Sequence, residues 1–439
     1  MRLAVRALAV TLNDRPVGTL RERDDLWSFE YDPAWLAAPE GFDLSPALTR
    51  AQRAHHDGGS HRPVQWYFDN LLPEEQLREV VSKEAGLNGD DAFALLEYLG
   101  AESAGSLVLR APGQPAEIPR GLQPLPDAEL SRRIRELPRV ALSHGAPKRM
   151  SSAGAQHKLL VVFRDDRLYE PVGDEPSTHL LKPNHVDDDF PASVINEYIV
   201  MRLAARLGLV VPPVWRRYTP EPVYIVERFD RSVAAHGGIQ RRHIIDACQL
   251  LNKSRQFKYR SATLQTLAEL IAHCRNRVNA RLRLYLWLVF NVLIANHDNH
   301  LKNLSFTVDA EGIALAPAYD LLSTGTYHTR AFAQRRADWP DVEMSIALPH
   351  ATTFGAVTRE SLLQAAEALG LPQRVGAREL DRLAAALPGA IDSLVQGIAA
   401  ENEHAPRDVR PFLAGEMRLL RTLQRLVVPE MLARAALRR

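Results

Sequence analysis

Two Asp residues and one Asn stand at intervals suited to phosphate chemistry in the second half of the chain. The segment NHDNHLKNLSF places Asp298 and Asn303 five residues apart, and Asp320 follows in AYDLLS, seventeen residues after Asn303. In phosphoryl transfer one carboxylate accepts the proton of the attacking hydroxyl, while an amide and a second carboxylate hold Mg²⁺. Magnesium prefers such hard oxygen ligands. The spacing therefore predicts Asp298 as a general base and Asn303 with Asp320 as metal ligands.

Each of these residues also has a purely structural interpretation. An Asp in a loop after a helix is commonly a turn former, and Asn303 can cap the strand that follows it. His297 and His300 suggest zinc, but they stand three residues apart with no third ligand close by in the sequence. The ordered set of Asp298, Asn303 and Asp320 favours phosphoryl transfer over three unrelated turn formers.

A small-residue turn and a strand-end lysine are candidates for binding phosphates. The turn in SSAGAQHK enters a strand, so its backbone N–H groups can face phosphate oxygens, although it lacks the G-x-G-x-x-G pattern. Lys182 ends the strand THLLK, where an amine can pair with α- and β-phosphates, and Glu197 on the next helix is a candidate to hold it. The alternative is an ordinary surface lysine. The segment GAESAGS has no Lys after its second Gly, which argues against a Walker loop.

The elements that must position these groups follow from hydrophobic periodicity. Apolar, β-branched runs predict strands at HKLLVVF, THLLKPN and VYIVERF, while SVINEYIVMRLAARLGLV has helical periodicity with Ser193 as cap and Gly208 as stop. Beyond Asp230 the periodic segments are helical. The predicted organisation is an N-terminal α/β subdomain at 1–110, a Pro-rich linker at 111–147, a nucleotide-binding lobe at 148–229 and a helical catalytic lobe at 230–439.

Composition narrows the class of protein. With 439 residues, 46% hydrophobic and 24% charged, the chain is long enough for two or three domains. A net charge of +1 gives no reason to expect direct binding to nucleic acid or to an anionic membrane. The two cysteines are too few for a disulfide framework, which fits a reducing cytoplasm. Arg6 interrupts the first apolar run, so a strand is expected there rather than a signal peptide, and Leu284 to Ala295 is expected to be a buried helix.

Taken in order, several of these segments resemble one family. SSAGAQHK, STHLLK, NEYIVMRLA, VERFDR, DACQLL, NHDNHLKNLSF and AYDLLST are similar to the motifs of the HipA-like kinases, and YFDNLLPE and GAESAGSLVL to that family's N-terminal signature. The resemblance implies an α+β fold, in which an N-terminal α/β subdomain precedes a two-lobed body of the HipA and PI3/4-kinase-like type, with a mixed small lobe and an all-helical C-terminal lobe. It also implies ATP and Mg²⁺ as cofactors and phosphorylation of serine or threonine on a protein substrate.

The resemblance assigns roles to individual positions. Asp298 would be the catalytic base, Asn303 and Asp320 the magnesium ligands, and Ser151 the autophosphorylation site, with Ser152 as the alternative. The nucleotide would be bordered by a phosphate loop of Ala153, Gly154, Ala155, Gln156, His157 and Lys158, by the phosphate lysine Lys182, by a hinge of Glu227, Arg228 and Phe229, and by His300, Lys302, Asn303, Tyr319 and Asp320. His157 stands where the family commonly has Glu.

Partners and competing functions complete the expectations. The resemblance implies a toxin of a type II toxin–antitoxin system in the cytoplasm, neutralised by a HipB-like, helix-turn-helix antitoxin. The kinase would contact nucleic acid only indirectly, through that antitoxin, and no membrane partner is expected. Aminoacyl-tRNA synthetases are among the substrates of such kinases. A small-molecule or lipid kinase would use the same phosphate-binding groups. A catalytically inactive binding module is a further alternative, against which the intact set of Lys182, Asp298, Asn303 and Asp320 argues; a metallohydrolase is more distant.

Overall fold

The computed structural model describes residues 5–114, 118–151, 153–234, 238–334 and 336–436. The strands are β1 (Arg6–Leu12), β2 (Arg15–Arg23), β3 (Leu26–Tyr31), β4 (Ala54–His56), β5 (Val108–Arg110), β6 (Gly121–Pro124), β7 (Leu159–Arg164), β8 (Arg167–Val172), β9 (His179–Pro183), β10 (Val214–Tyr218), β11 (Pro222–Glu227), β12 (Arg231–Val233), β13 (Ile239–Arg241), β14 (Ile244–Asp246), β15 (Ser305–Asp309), β16 (Gly312–Leu315), β17 (Glu343–Leu348) and β18 (Ala351–Thr353). The helices are α1 (Pro33–Ala37), α2 (Pro63–Asp69), α3 (Glu75–Ala85), α4 (Ala92–Leu99), α5 (Asp127–Arg135), α6 (Ser193–Arg206), α7 (Ala247–Leu250), α8 (Leu264–His273), α9 (Arg277–Leu293), α10 (Arg359–Ala368), α11 (Gln373–Glu403), α12 (Arg410–Thr422) and α13 (Val428–Ala436). Short 3₁₀ helices lie at Arg255–Phe257, Leu301–Asn303, Thr324–His328 and Phe354–Ala356, and a π-helical turn at Leu423–Val427.

The chain forms two compact units, each built from separate stretches of sequence. Unit 1 consists of Met1–Lys182, Val226–Phe257 and Ser305–Ala316. Unit 2 consists of Pro183–Ile225, Lys258–Leu304 and Pro317–Arg439. The predicted phosphate-binding groups therefore belong to unit 1, and the predicted base and metal ligands to unit 2.

An antiparallel sheet with the order β4-β3-β2-β1-β5 forms the first part of unit 1. The turn between β1 and β2 uses Asn13 and Asp14 with φ of 49° and 64°, a conformation that these two residue types tolerate better than most. Alternating residues such as Leu8, Val10 and Leu20 are fully buried, as expected for strands with one face on a core. Helices α2 and α4 pack against this sheet at β3 and β5.

A second antiparallel array in unit 1 carries the predicted phosphate-binding segments. Strand β7 lies between β9 and β8, and β6 pairs with the outer edge of β8. In the β7–β9 register Leu159 is opposite Leu181. Lys158, the residue before β7, and Lys182 in β9 therefore lie at the same end of the array. Strand β6 and helix α5 lie in the segment whose prolines suggest a linker, so this segment also contributes to the sheet.

Unit 2 is mainly helical and is built around α9. Residues Leu284 to Leu293 of α9 are buried on every side, which confirms the buried helix expected from the apolar run. Helices α8, α10, α11 and α13 pack against α9. The long helix α11 alone, among the described helices, has the length and apolar composition to cross a membrane; a core helix passes the same test, so this is weak evidence for a span.

The α+β fold class is confirmed, and two local predictions need correction. Ser193 is not the cap of α6 but its first residue, since the cap position is Ala192 with φ of 55°. Asn184 instead accepts the Val194 N–H at 2.9 Å, and Ser193 Oγ accepts the His185 N–H at 2.7 Å. The region after Asp230 is not all helical, because it contains the short strands β12 to β18. Four of these strands, β12, β13, β14 and β18, have only three residues, too few to give a periodic signal. The six-residue β17 does alternate between buried and less buried positions, and the prediction missed it.

Candidate active site

The candidate catalytic loop, residues 295–303, begins where the buried helix α9 ends. Ala295 has φ of 53°, which turns the chain sharply after the last helical residues. The buried Asn296 then bridges back to the helix: its Nδ2 donates to Asn291 Oδ1 at 2.8 Å, and its Oδ1 accepts the Asp298 N–H at 3.0 Å. The backbone of Asp298 is thus fixed to a rigid core helix.

Asp298 and Asn303 lie together, as their spacing predicts. Asn303 Nδ2 donates to the Asp298 carbonyl oxygen at 2.7 Å, and Asn303 is buried in the 3₁₀ turn. Because Nδ2 is used in this bond, Oδ1 is the amide atom suited to ligate a cation. The Asp298 carboxylate accepts a hydrogen bond from the Tyr259 hydroxyl at 2.5 Å, so its oxygen is reachable by an O–H group. The roles of both residues stay predictions.

Asp320 is tied to the same loop through its neighbour. Tyr319 Oη donates to the Lys302 carbonyl oxygen at 2.6 Å, which joins the residue before Asp320 to the residue before Asn303. Asp320 has φ of 56°, a left-handed conformation that is uncommon outside glycine and occurs often at functional sites. The donor set of one amide oxygen and one carboxylate fits Mg²⁺, which takes its other ligands from phosphate and water.

A buried asparagine that the sequence analysis did not single out holds the segment after Asp320. Asn196 of α6 is fully buried, and its amide pairs with both backbone groups of Ser323 at 2.8 and 3.0 Å and with Tyr327 Oη at 3.0 Å. The signal was present in the sequence, because an Asn within an apolar helical run must find partners when buried. Thr324 Oγ1 in turn accepts the His297 N–H at 2.7 Å.

In unit 1 the candidate phosphate loop, residues 153–158, is folded on itself. Gly154 has φ of +98°, a backbone conformation that side-chain-bearing residues rarely adopt, so a larger residue would be strained there. Lys158 Nζ donates to the Ala153 carbonyl oxygen at 2.5 Å, and the Gly154 carbonyl accepts the Glu74 N–H at 3.1 Å. Lys182 is buried at the end of β9, which argues against an ordinary surface lysine.

Ser151, the predicted modification site, is packed inside unit 1. Its side chain is only 1% exposed, Oγ donates to the Leu71 carbonyl oxygen at 2.5 Å, and its N–H donates to the Glu102 carbonyl oxygen at 2.8 Å. Both partners belong to the N-terminal motifs YFDNLLPE and GAESAGS. Ser152, the alternative site, lies outside the described residues.

The side chain of the predicted hinge residue Arg228 already has buried partners. It forms a bidentate pair with Asp230 at 3.0 and 2.7 Å and also contacts Glu102 at 3.1 Å. Burial alone would raise the pKa of Glu102, but Lys148, Arg231 and Arg228 hold it well below its usual value. The Arg228 side chain is therefore engaged within unit 1, and its role as a hinge residue stays a prediction.

The histidines of the candidate catalytic loop give no support to a zinc site. His297 Nε2 lies 3.2 Å from His328 Nε2, and His328 Nδ1 lies 2.9 Å from Asp338. Burial, and then the neighbouring His328, lower the pKa of His297. Within the ranges that the structure describes, no group of three His, Cys, Asp or Glu side chains is arranged to hold a metal ion.

Comparison with known proteins identifies the family. The HipA-like C-terminal domain matches residues 150–391, and the HipA N-terminal domain matches residues 8–110. The chain belongs to the HipA family. The putative kinase Y4mE of Sinorhizobium fredii is 37% identical over 338 residues, which cover 74% of this chain and 79% of that protein. The serine/threonine-protein kinase toxin HipA of Shewanella oneidensis is 30% identical over 415 residues, 88% of this chain and 89% of that protein.

The fold of this HipA family member matches a solved structure over nearly its whole length. The HipA chain in the complex of Shewanella oneidensis HipA, HipB and operator DNA is 27% identical, with a TM-score of 0.75, and the match covers 97% of this chain and 99% of that one. The family resemblance and the α+β, kinase-like fold class predicted from the sequence are therefore confirmed.

Proposed function

We propose that this HipA family member is a serine/threonine protein kinase that uses Mg²⁺ and ATP and acts as a toxin by phosphorylating a cellular protein, with an aminoacyl-tRNA synthetase as a candidate target. The observation that carries the proposal is the Asp298 carboxylate, which accepts a hydroxyl hydrogen bond at 2.5 Å while Asn303 is bonded to the backbone of the same residue. The kinase names of its relatives support the reaction class.

In this proposal each group has one task. Asp298 accepts the proton of the serine or threonine hydroxyl as that oxygen attacks phosphorus. Asn303 Oδ1 and the Asp320 carboxylate would hold Mg²⁺, and residues 153–158 with Lys182 would bind the phosphates. When bound, ATP would supply the γ-phosphoryl group and leave as ADP, and Mg²⁺ would neutralise the charge on the phosphates. The rigid attachment of the loop to α9 keeps the base oriented before the substrate arrives.

The proposal includes regulation at two levels. Autophosphorylation of Ser151 would limit the activity, and a HipB-like antitoxin would bind the kinase in the cytoplasm and link it to DNA. The antitoxin is proposed because the HipA of Shewanella oneidensis was solved together with HipB and its operator.

The test is phosphoryl transfer by Asp298→Asn. This change keeps the size of the side chain and removes the basic oxygen, so we expect transfer to fall on the order of 10²- to 10⁴-fold while ATP binding remains. The measurement is transfer of radiolabelled phosphate from ATP to protein, together with ATP affinity. In contrast, Asp320→Ala should lose the magnesium-dependent part of ATP binding.

Asp165→Asn is the matched control. Asp165 lies in the exposed β7–β8 turn with φ of 51°, which Asn tolerates equally well, so its activity should match the wild type. Near-normal transfer by Asp298→Asn would show that Asp298 is not the base. Label that appears only on lipid or on small molecules would favour a different kinase substrate, and a wild-type protein that binds ATP without transfer would favour an inactive binding module.

A further inference from the structure

The hydroxyl group that donates a hydrogen bond to the candidate base Asp298 belongs to the protein itself. Tyr259 Oη donates to Asp298 Oδ1 at 2.5 Å, the same kind of bond that the hydroxyl of a serine or threonine substrate must make with this carboxylate. A hydrogen bond from a hydroxyl to an ionised carboxylate is of the charge-assisted type. A phenol therefore takes the place of the acceptor hydroxyl on the proposed base.

The contact lies at the surface of unit 2, where a protein substrate can arrive. The Tyr259 side chain is 46% exposed, whereas Asn299, His300 and Asn303, which surround Asp298 in the loop, are buried. Asp298 is partly exposed, and its hydrogen bond with Tyr259 is exposed to solvent.

The backbone around Tyr259 is fixed, so only its side chain needs to move. The Lys258 carbonyl oxygen accepts the Leu301 N–H at 3.1 Å, and the Tyr259 carbonyl oxygen accepts the Ala262 N–H at 2.9 Å. The Tyr259 ring meets the His300 ring edge to face, with centroids 4.7 Å apart. A rotation about the side-chain bonds of Tyr259 is enough to release Asp298.

We propose that Tyr259 is the gate of the acceptor site: its hydroxyl occupies Asp298 in the absence of substrate and must be displaced by the hydroxyl that is to be phosphorylated. The inference rests on the proposed function, since it takes Asp298 as the base. Displacing the Tyr259 hydroxyl costs little free energy, because the phenol is already half exposed and exchanges its hydrogen bond to the carboxylate for hydrogen bonds to water. The gate then also shields Asp298 from water and limits hydrolysis of ATP.

A purely orienting role for Tyr259 predicts the opposite effect on rate. A residue that only orients the base raises the rate, so its removal lowers turnover. A gate competes with the acceptor, so its removal raises turnover with the smallest acceptor, water. In Tyr259→Phe the ring and its contact with His300 remain, while the lost oxygen leaves room for a water molecule on Asp298.

The experiment measures Mg²⁺-dependent ATP hydrolysis by the full chain, with water as the acceptor. We expect Tyr259→Phe to raise kcat on the order of three- to tenfold, the effect of losing one hydrogen bond of ordinary net strength at a partly exposed position, with the KM for ATP unchanged. The double variant Tyr259→Phe/Asp298→Asn should return to the rate of Asp298→Asn. Tyr169→Phe is the control: it removes the hydroxyl from a ring that lies against Arg164, and it should behave as wild type.

The outcomes separate the gate from the proposed function. If Asp298→Asn is slow and Tyr259→Phe is slower than wild type, Tyr259 orients the base and the gate is wrong, while the kinase proposal stands. Equal rates in wild type and Tyr259→Phe also contradict the gate, and thermal unfolding of both proteins shows whether folding is unchanged. If Asp298→Asn hydrolyses ATP at the wild-type rate, both the base and the gate are wrong.

Discussion

At the residue scale, His243 shows how a buried polar group is matched to its surroundings in unit 1. The imidazole is 3% exposed; Nδ1 lies 2.8 Å from Ser106 Oγ, and Nε2 lies 2.9 Å from the Leu44 carbonyl oxygen. A carbonyl can only accept, so Nε2 carries a proton. Burial lowers the pKa of His243 to about 4, so the ring is neutral at pH 7 and Nδ1 then accepts from the Ser106 hydroxyl.

This neutral histidine predicts a loss of stability in mild acid. An unfolded histidine titrates near 6.5, so between pH 6.5 and 4 the unfolded chain binds a proton that the native chain does not. The free energy of unfolding should be unaffected by His243 above pH 6.5 and fall as the pH drops toward 4, by up to about 3 kcal/mol. Urea unfolding at a series of pH values measures this slope.

The replacement His243→Phe removes the titrating group and keeps a ring that can stack on Phe42, whose centroid lies 5.0 Å away. The variant should be less stable at neutral pH but show a flatter slope between pH 6.5 and 4. The exposed His144, changed to Phe, serves as the control and should keep the wild-type slope. An unchanged slope in His243→Phe would mean that other groups cause the acid sensitivity.

At the scale of elements, the candidate phosphate loop is held by the N-terminal part of unit 1. Ser151 is bonded to the carbonyl groups of Leu71 and Glu102, and Gly154 is bonded to Glu74. A phosphate on Ser151 removes its O–H donor and adds about −1.5 to −2 charges beside two carbonyl oxygens. The modified residue cannot keep this buried position, so the loop must leave it.

We therefore expect autophosphorylation of Ser151 to reduce ATP affinity and to stop the reaction. Expulsion of the loop removes its backbone N–H groups from the phosphates, which makes the modification self-limiting. The purified protein is incubated with Mg²⁺ and ATP, its phosphorylated sites are mapped by mass spectrometry, and ATP affinity is measured before and after. Ser151→Ala should keep its affinity throughout. Phosphate on neither Ser151 nor Ser152, or unchanged affinity in fully modified protein, would refute this regulation.

The same elements show what a sequence can and cannot predict. Strands β7 and β9 and helix α9 follow from local periodicity, and Asp298 and Asn303 are five residues apart, so a single loop brings them together. The hydrogen bonds between the Asn196 amide and the Ser323 backbone join residues 127 positions apart, and no local sequence pattern encodes such a pair. Tyr259 was missed for the same reason, since its partner lies 39 residues further along the chain.

At the scale of the whole molecule, the N-terminal family signature is part of the structure that surrounds the predicted hinge residue Arg228. Glu102 of GAESAGS is fully buried and accepts hydrogen bonds from Lys148 at 2.8 Å, from Arg231 at 2.8 Å and from Ser177 Oγ at 2.6 Å. Removing one partner from such a buried network typically costs several kcal/mol. The N-terminal part of unit 1 and the segments predicted to bind the nucleotide are thus joined by one ionic cluster around Glu102.

The proposed toxicity is a property of the whole molecule and depends on one carboxylate. If the chain arrests growth by phosphorylating a cellular protein, expression of the wild type should slow bacterial growth, and Asp298→Asn should relieve the arrest at equal protein levels, because it keeps the fold and removes the base. The measurement is growth rate after induction, with protein levels checked by immunoblot. Asp165→Asn, the surface control, should stay as toxic as the wild type. Equal toxicity of wild type and Asp298→Asn would instead indicate that the chain acts by binding a partner, because the one change that abolishes proton acceptance would then leave its effect on the cell untouched.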